Sequence, residues 1–464
     1  AVVGATADLA LDDVRVTVSP KLDALSLHGI SGRLGAKAVE GGVEVSTQAL
    51  QFQTTDGLHW PGGNLRLAVF AGDKNKPPRG ELVADRMDLA AIAQIADRMP
   101  LDAPLRNHLA QLAPRGLVER VVGNWQGPIN EPTRFSAKGR AVQLEVAALA
   151  ADSGARPGFK GLDIDFDLTQ AGGRASLVMK NGALDLPGIF DEPVMRLDAL
   201  EGDVQWKLDG AQISLAIPNL RFSNADAQGD LQLKWQTTPQ AARFPGVLDL
   251  QGNLSRANGA RVYRYLPLGI DQPVRDYLRE AILTGSASGV KFKVKGNLND
   301  FPFATAKQGD FRIVADVHNA TFAYAPAFLL PKDSPPWPVL NELSGELVID
   351  RAMLQVKGAS AKVVGLPGLR VGKADAVVDN LYGGATVSVA VEAQGPLADV
   401  LGVVNGSPLS PLMGKALDRA TASGPADYKF KLAFPIAAVD RATVRGSIAL
   451  SGNDMQITPE SPRL

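Results

Sequence analysis

Apolar and polar residues alternate with a period of two along most of this chain. Leu162, Ile164, Phe166 and Leu168 share one side of a run whose other side is Asp163, Asp165 and Asp167. Successive side chains of a β-strand point to opposite faces, so the run predicts a strand with one dry face and one wet. Val204, Trp206 and Leu208 repeat the arrangement, as do Ile213, Leu215 and Ile217, and then Leu231, Leu233 and Trp235. Further on, Val290, Phe292 and Val294 oppose Lys291, Lys293 and Lys295. Phe311 with Ile313, Val387 with Val389 and Val391, and Tyr428 with Phe430 and Leu432 continue the pattern. Roughly 25 to 30 strands are predicted, and their one-sidedness favours antiparallel sheet over buried parallel layers. Asn181-Gly182, Asp209-Gly210, Gly41-Gly42 and Gly383-Gly384 supply residues that tolerate positive φ and predict short hairpins. Pro331 to Pro338 is too rich in proline for a central strand and reads as a loop.

Helical periodicity appears in three places: residues 88–113, 262–283 and 397–420. Each reads as a short helix, a break containing proline and a second short helix, as at Pro273 with Val274, Tyr277, Leu278 and Ile282 on one stripe. The first two align, Met99-Pro100-Leu101 with Leu266-Pro267-Leu268 and Pro104-Leu105-Arg106 with Pro273-Val274-Arg275. The separations predict an internal repeat of about 140 to 170 residues. Three segments follow, 1–127, 128–296 and 297–464, each of strands with one helical insert, the last also carrying the Pro-rich loop 331–338.

Composition narrows the function. In 464 residues, 48 Lys plus Arg balance 49 Asp plus Glu for a net charge of -1, which argues against a nucleic-acid partner. The absence of cysteine excludes disulfides, thiolate ligands and cysteine nucleophiles. His28, His59, His108 and His318 are far apart and lack metal-ligand spacing, so no metal is expected. Asp163, Asp165 and Asp167 lack the glycine and distal glutamate of a calcium loop and read as a solvated face, as do Lys291, Lys293 and Lys295. No phosphate loop, dinucleotide fingerprint or nucleophile elbow occurs, and Gly285-Ser286-Ala287-Ser288-Gly289 lacks the lysine of a phosphate loop. No enzyme activity and no cofactor are expected. Apolar runs such as Val146 to Ala151 are far too short to span a membrane, so any anchor is expected outside this chain.

A sheet this long has more apolar surface than three short helical hairpins can cover. It either closes into filled sandwiches or curls lengthwise into a groove lined by alternate side chains and able to take a hydrocarbon chain. The groove is the favoured expectation: mostly β, an elongated, curled antiparallel sheet forming a taco-like apolar groove with helical hairpins between sheet segments. Its candidate lining residues are Leu162, Ile164 and Phe166; Trp206, Ile213, Leu215 and Ile217; Leu233 and Trp235; Val290, Phe292 and Val294; Phe311 and Ile313; and Val387 and Val389.

The segment ARVYRYLPLGIDQPVRDYLREAILTGSASGVKFKVKGNLNDFPF, at 260–303, resembles the YhdP branch of the AsmA-like envelope proteins. MPLDAPLRNHLAQLAPRGLVERVVGNWQG, at 99–127, is similar to another copy of that family's helix-to-strand element. The resemblance implies a periplasmic part of a Gram-negative protein anchored in the inner membrane, with the anchor and much of the family's length missing from this chain. It further implies intermembrane phospholipid transport that supports the outer-membrane barrier, through partners that are phospholipid acyl chains, both membranes via the missing flanks, and envelope proteins. The alternative is an envelope scaffold or protein-interaction module without lipid cargo.

Overall fold

The computed structural model describes residues 3–462 apart from 18–23, 61, 74–75, 97–102, 129–130, 151–155, 239–243 and 437–440. Met99, Pro100, Leu101 and Ala151 thus lie outside the described residues. Contacts divide the chain into two compact units, Ala1–Ala225 and Asp226–Leu464.

The first unit is an antiparallel meander. It runs through β1 (Gly4–Val16), β2 (Leu25–Val39), β3 (Gly42–Thr54), β4 (His59–Trp60), β5 (Leu65–Phe70) and β6 (Arg79–Asp88). Two helices follow, α1 (Leu89–Ala96) and α2 (Ala103–Leu112). The meander then continues as β7 (Arg115–Gln126), β8 (Arg134–Val146), β9 (Gly158–Thr169), β10 (Gly172–Asp185), β11 (Val194–Asp209) and β12 (Gln212–Ser223). Each strand pairs with its neighbour in sequence, except that the short β4 is bypassed by a β3–β5 ladder. Asp88 caps α1, accepting a hydrogen bond from the Ala91 backbone N–H at 2.9 Å.

The second unit repeats the plan with β13 (Ala227–Gln236), β14 (Val247–Asn258), a 3-10 turn (Gly259–Tyr265), α3 (Gln272–Ala281), β15 (Ile282–Asn297) and β16 (Gly309–Phe322). It continues through β17 (Leu340–Asp350), β18 (Met353–Val363), β19 (Leu366–Val378), β20 (Thr386–Pro396), α4 (Leu397–Asn405) and α5 (Leu409–Leu412). The last strands are β21 (Thr421–Ser423), β22 (Pro425–Pro435), β23 (Thr443–Leu450) and β24 (Asp454–Gln456). Here too neighbours pair antiparallel, with β20 joined to β22 and a small separate ladder of β21 with β24.

Because strands alternate in direction, the helices inserted after β6 leave the first unit's sheet at the same strand ends as its long β8–β9 and β10–β11 links; in the second unit the helices after β14 and β20 share their ends with the long β16–β17 link, opposite the β13–β14 and β15–β16 links. The best-buried clusters lie toward the helix-bearing ends. Leu162, Met179, Leu197 and Leu200 form one. Ala84, Val118, Val121 and Ala141, with Leu89 of α1 packed against them, form another. In the second unit, Leu397 of α4 joins Val363, Leu369, Ala393, Ala426 and Tyr428, with Val400 and Val403 from the same helix alongside. The helices therefore cover one margin of the apolar face and leave the rest.

Two expectations need correction. The taco-like curl is not formed, because among the described residues β1 pairs only with β2 and no ladder joins it to β12, and none joins β13 to β23. The sheet of each unit is neither closed nor strongly curled. A trough would set two walls of inward side chains against each other, whereas Leu34, Val43 and Val45 on the apolar face are 36%, 53% and 42% exposed. Alternation specifies which side of a strand is dry; curvature comes from bulges and twist, about which alternation carries no information. Asn181-Gly182, read as a hairpin turn, instead lies within β10, where Asn181 at φ 52° marks a bulge between Met179 and Ala183.

Candidate functional site

The site is the apolar face itself. Directly opposed residues of an antiparallel pair project to the same side, so the registers trace rows across the sheet. In the first unit one row runs Ala5, Ala36, Val45, Leu67, Leu82, Gly123, Ala137, Leu168, Gly173, Trp206 and Leu215, with no polar side chain in it. In the second, Leu231, Gly252, Phe292, Ile313, Ile349, Leu354, Val378, Val387 and Phe434 form another. One step along, Ala315, Leu347, Val356, Ala376, Val389, Leu432 and Val444 form a third.

These rows place the residues selected from sequence. In the first unit, Leu162, Ile164 and Phe166 of β9 face Met179, Leu177 and Ala175 of β10. Trp206 stands between Gly173 and Leu215, and Ile213 faces Leu208. Ile217 falls in the irregular stretch where the β11–β12 register shifts between Asp203 and Gln205. In the second unit, Leu233 and Trp235 face Leu250 and Leu248. Val290, Phe292 and Val294 face Leu254, Gly252 and Leu250, and the last two also meet Ile313 and Phe311. Val387 and Val389 lie several strands away in the same sheet. Leu162 and Val290 are buried at 6% and 7%; the other selected residues are half-buried.

A family model described as YhdP protein matches residues 1–464. The chain belongs to the YhdP family. That places it among envelope proteins related to AsmA and TamB. No match was found among curated proteins or among solved structures.

The opposite face of this YhdP-family sheet is polar and paired across strands. Arg140 reaches Asp165 at 2.8 Å and Asp163 at 3.9 Å, and Arg174 reaches Asp167 at 3.3 Å, which accounts for the acidic run of β9. Lys293 pairs with Asp310 at 2.7 Å and Lys295 with Asp249 at 3.0 Å, which accounts for two lysines of the basic run. The Lys295 ammonium, hydrogen-bonded to Asp249, holds that carboxyl below its usual range. Lys37 and then Arg66 do the same to Glu44, and Arg33 does so to Asp8. Lys293 is shifted upward, chiefly by its hydrogen bond to Asp310. Most of these groups keep contact with solvent, the Glu44 side chain at 12% exposure being the most covered, so each pair contributes little to stability and serves mainly to keep one side of the sheet wet.

Among the described residues no group of three or more His, Cys, Asp and Glu side chains could hold a metal ion, and no helix is long and apolar enough to cross a membrane. A shallow open depression over β1, β2 and β3 is lined by both apolar and polar side chains, including Leu11, Ile30, Phe52, Asp12, Gln51 and His59.

Sequence reading missed two features. The apolar rows extend to β1 through β7, where Leu65, Leu67 and Val69 carry the alternation that could have shown it. The second is a set of aromatic rings seated on glycines of the adjacent strand, at Trp125–Gly80, Phe166–Gly139, Trp206–Gly173, Phe292–Gly252 and Phe430–Gly446. Only the cross-strand register brings the partners together, so a single strand carries no sign of them.

Proposed function

We propose that the chain moves phospholipid between the inner and outer membranes of a Gram-negative envelope by holding acyl chains against its open apolar sheet face. The observation that carries this reading is the half-buried state of the long apolar rows: they are too continuous for a solvated surface and too exposed for a finished core. Membership in an envelope family supports the setting, a periplasmic segment of an inner-membrane-anchored protein.

The energetics suit a carrier. A sixteen-carbon chain fully removed from water gains on the order of 10 kcal/mol, at about 0.8 kcal/mol for each CH₂. On an open face only one side is covered, so roughly half that, about 5 kcal/mol, is gained for each chain. Two chains hold a phospholipid while its headgroup stays in water. A single chain is held marginally. The rows repeat Val, Leu, Ala and Ile at successive strands, so neighbouring positions offer similar contact and a bound chain meets no deep well. The residues assigned to this contact are those traced above, from Leu162 to Val389. No side chain is asked to do chemistry. The division into segments 1–127, 128–296 and 297–464 is proposed as the repeat that lengthens such a face.

One observation favours a second reading, an envelope scaffold that recruits a strand from another chain. Every residue of β23 is exposed, and among the described residues β23 pairs only with β22. Detergent-free purification followed by lipid extraction and mass spectrometry separates the two. Phospholipid recovered in at least equimolar amount supports transport; lipid-free protein that also fails to compete for a fluorescent acyl probe overturns it in favour of the scaffold.

A further inference from the structure

Glycine inside a strand normally weakens it, through lost side-chain packing and greater freedom of the unfolded chain. Gly252 and Gly446 are interior to β14 and β23 and Gly173 is the second residue of β10, and none has a positive φ that would demand glycine. What demands it is the crowding opposite, in which the ring stands nearest. A Cβ added to Gly173 would stand 2.7 Å from Trp206 Cζ2 and 2.8 Å from both the Asp167 carbonyl oxygen and Leu168 Cβ, far inside van der Waals contact. At Gly252 and Gly446 the rings of Phe292 and Phe430 again stand nearest, with the Asp230 and Lys429 carbonyl oxygens just beyond them.

Each ring therefore lies down over the neighbouring strand in the space where a side chain would be. Trp206 and Phe292 are half-buried, outside the tightest clusters, on the part of the face that the helices leave uncovered, whereas Phe430, also half-buried, packs against the cluster that Leu397 of α4 joins. A ring lying on glycine adds apolar area while rising little above the Ala, Val and Leu beside it. An upright indole would make a ridge in the row Leu168, Gly173, Trp206 and Leu215.

We propose that the pairs Trp206–Gly173 and Phe292–Gly252 are positioning residues for the lipid: they set a low, unbroken apolar floor on which an acyl chain can lie across successive strands. This rests on the acyl-chain reading above. Adding a methyl group to the glycine lifts the ring and interrupts the floor locally; where the ring has already been removed, the same methyl group has no ring to lift.

Photo-crosslinking tests this on the full chain. A benzophenone amino acid replaces Leu168, beside the Trp206 ring, or Val389 in the other unit as a reference position. The probe is vesicles of phosphatidylethanolamine and phosphatidylglycerol. The otherwise unchanged chain should crosslink lipid at both positions. Gly173→Ala should lower the yield at residue 168 several-fold and leave residue 389 unchanged, and it should lower the yield at 168 far less when made in a Trp206→Ala chain. The comparison matters because the Asp167 carbonyl and Leu168 Cβ crowd the added methyl in both backgrounds, so a fall due to them is the same with or without the ring. An unchanged yield at 168 in Gly173→Ala, or an equal fall in the Trp206→Ala background, overturns the proposal while lipid binding stands. A loss at both positions assigns the glycine to fold stability and overturns it as well. Absence of crosslinks at both positions without the glycine change removes the acyl-chain reading itself.

Discussion

Ile313 of β16 stands directly opposite Ile349 of β17, and one residue back along the same ladder Arg312 pairs with Asp350 at 2.9 Å. Two adjacent register positions thus show both sides of the sheet, an apolar contact on one face and an ion pair on the other. Repeated from strand to strand, this two-sidedness leaves apolar surface that the short helices cover only along one margin.

Replacing Ile313 separates contact with lipid from fold stability. Ile313→Ala should cost about 1 kcal/mol or less, because a half-buried side chain loses less than the 2 to 5 kcal/mol of a core truncation. Lipid recovery should barely change. Ile313→Lys should lower recovered phospholipid much more at similar folded content, as an ammonium on the apolar face is costly to cover with hydrocarbon. Equal, small effects of both on lipid recovery would count against acyl contact at this position.

The covered margin should behave as ordinary core. Met179 is 1% exposed among Leu162, Leu197 and Leu200. Met179→Ala is expected to destabilise by about 2 to 5 kcal/mol, against about 1 kcal/mol for Ile164→Ala, measured by urea denaturation. Similar losses at both positions would show that the face is more completely covered than its exposure indicates.

Acid should weaken the polar face. Glu44, Asp8 and Asp249 are held below the usual carboxylate range by cationic partners, so each binds a proton more readily in the unfolded chain. Their stabilisation is complete above the unfolded values and is lost as pH falls from about 5 through the depressed folded values. Replacing Lys37 and Arg66 by Gln should leave stability near neutral pH almost unchanged and flatten its fall between about pH 5 and 3. A fall as steep as that of the unchanged chain would show that Glu44 does not report through these partners.

How much of this was legible in the sequence depended on whether the deciding contact lay within one strand or between two. Leu162, Ile164 and Phe166 announce their shared face by alternation alone, and so does the acidic side opposite them. Trp206 could be assigned to the apolar face, but its seat on Gly173 is set by the β10–β11 register, which no local pattern specifies. Asn181-Gly182 carries turn chemistry yet forms a bulge, because β10 continues to Asp185 in pairing with β11. The curl was misjudged for a related reason: a surplus of apolar surface shows that something must cover it, and an open sheet face satisfies that demand as well as a groove if a lipid supplies the cover.

The most direct measurement is quenching of Trp206 fluorescence in a full-length variant that keeps it as the sole tryptophan, mixed with phospholipid brominated midway along its acyl chains. Bromine quenches only at short range, so the account predicts strong quenching that unbrominated phospholipid does not cause and that excess unlabelled lipid reverses. Unchanged Trp206 emission at lipid concentrations that saturate a known lipid carrier would contradict it.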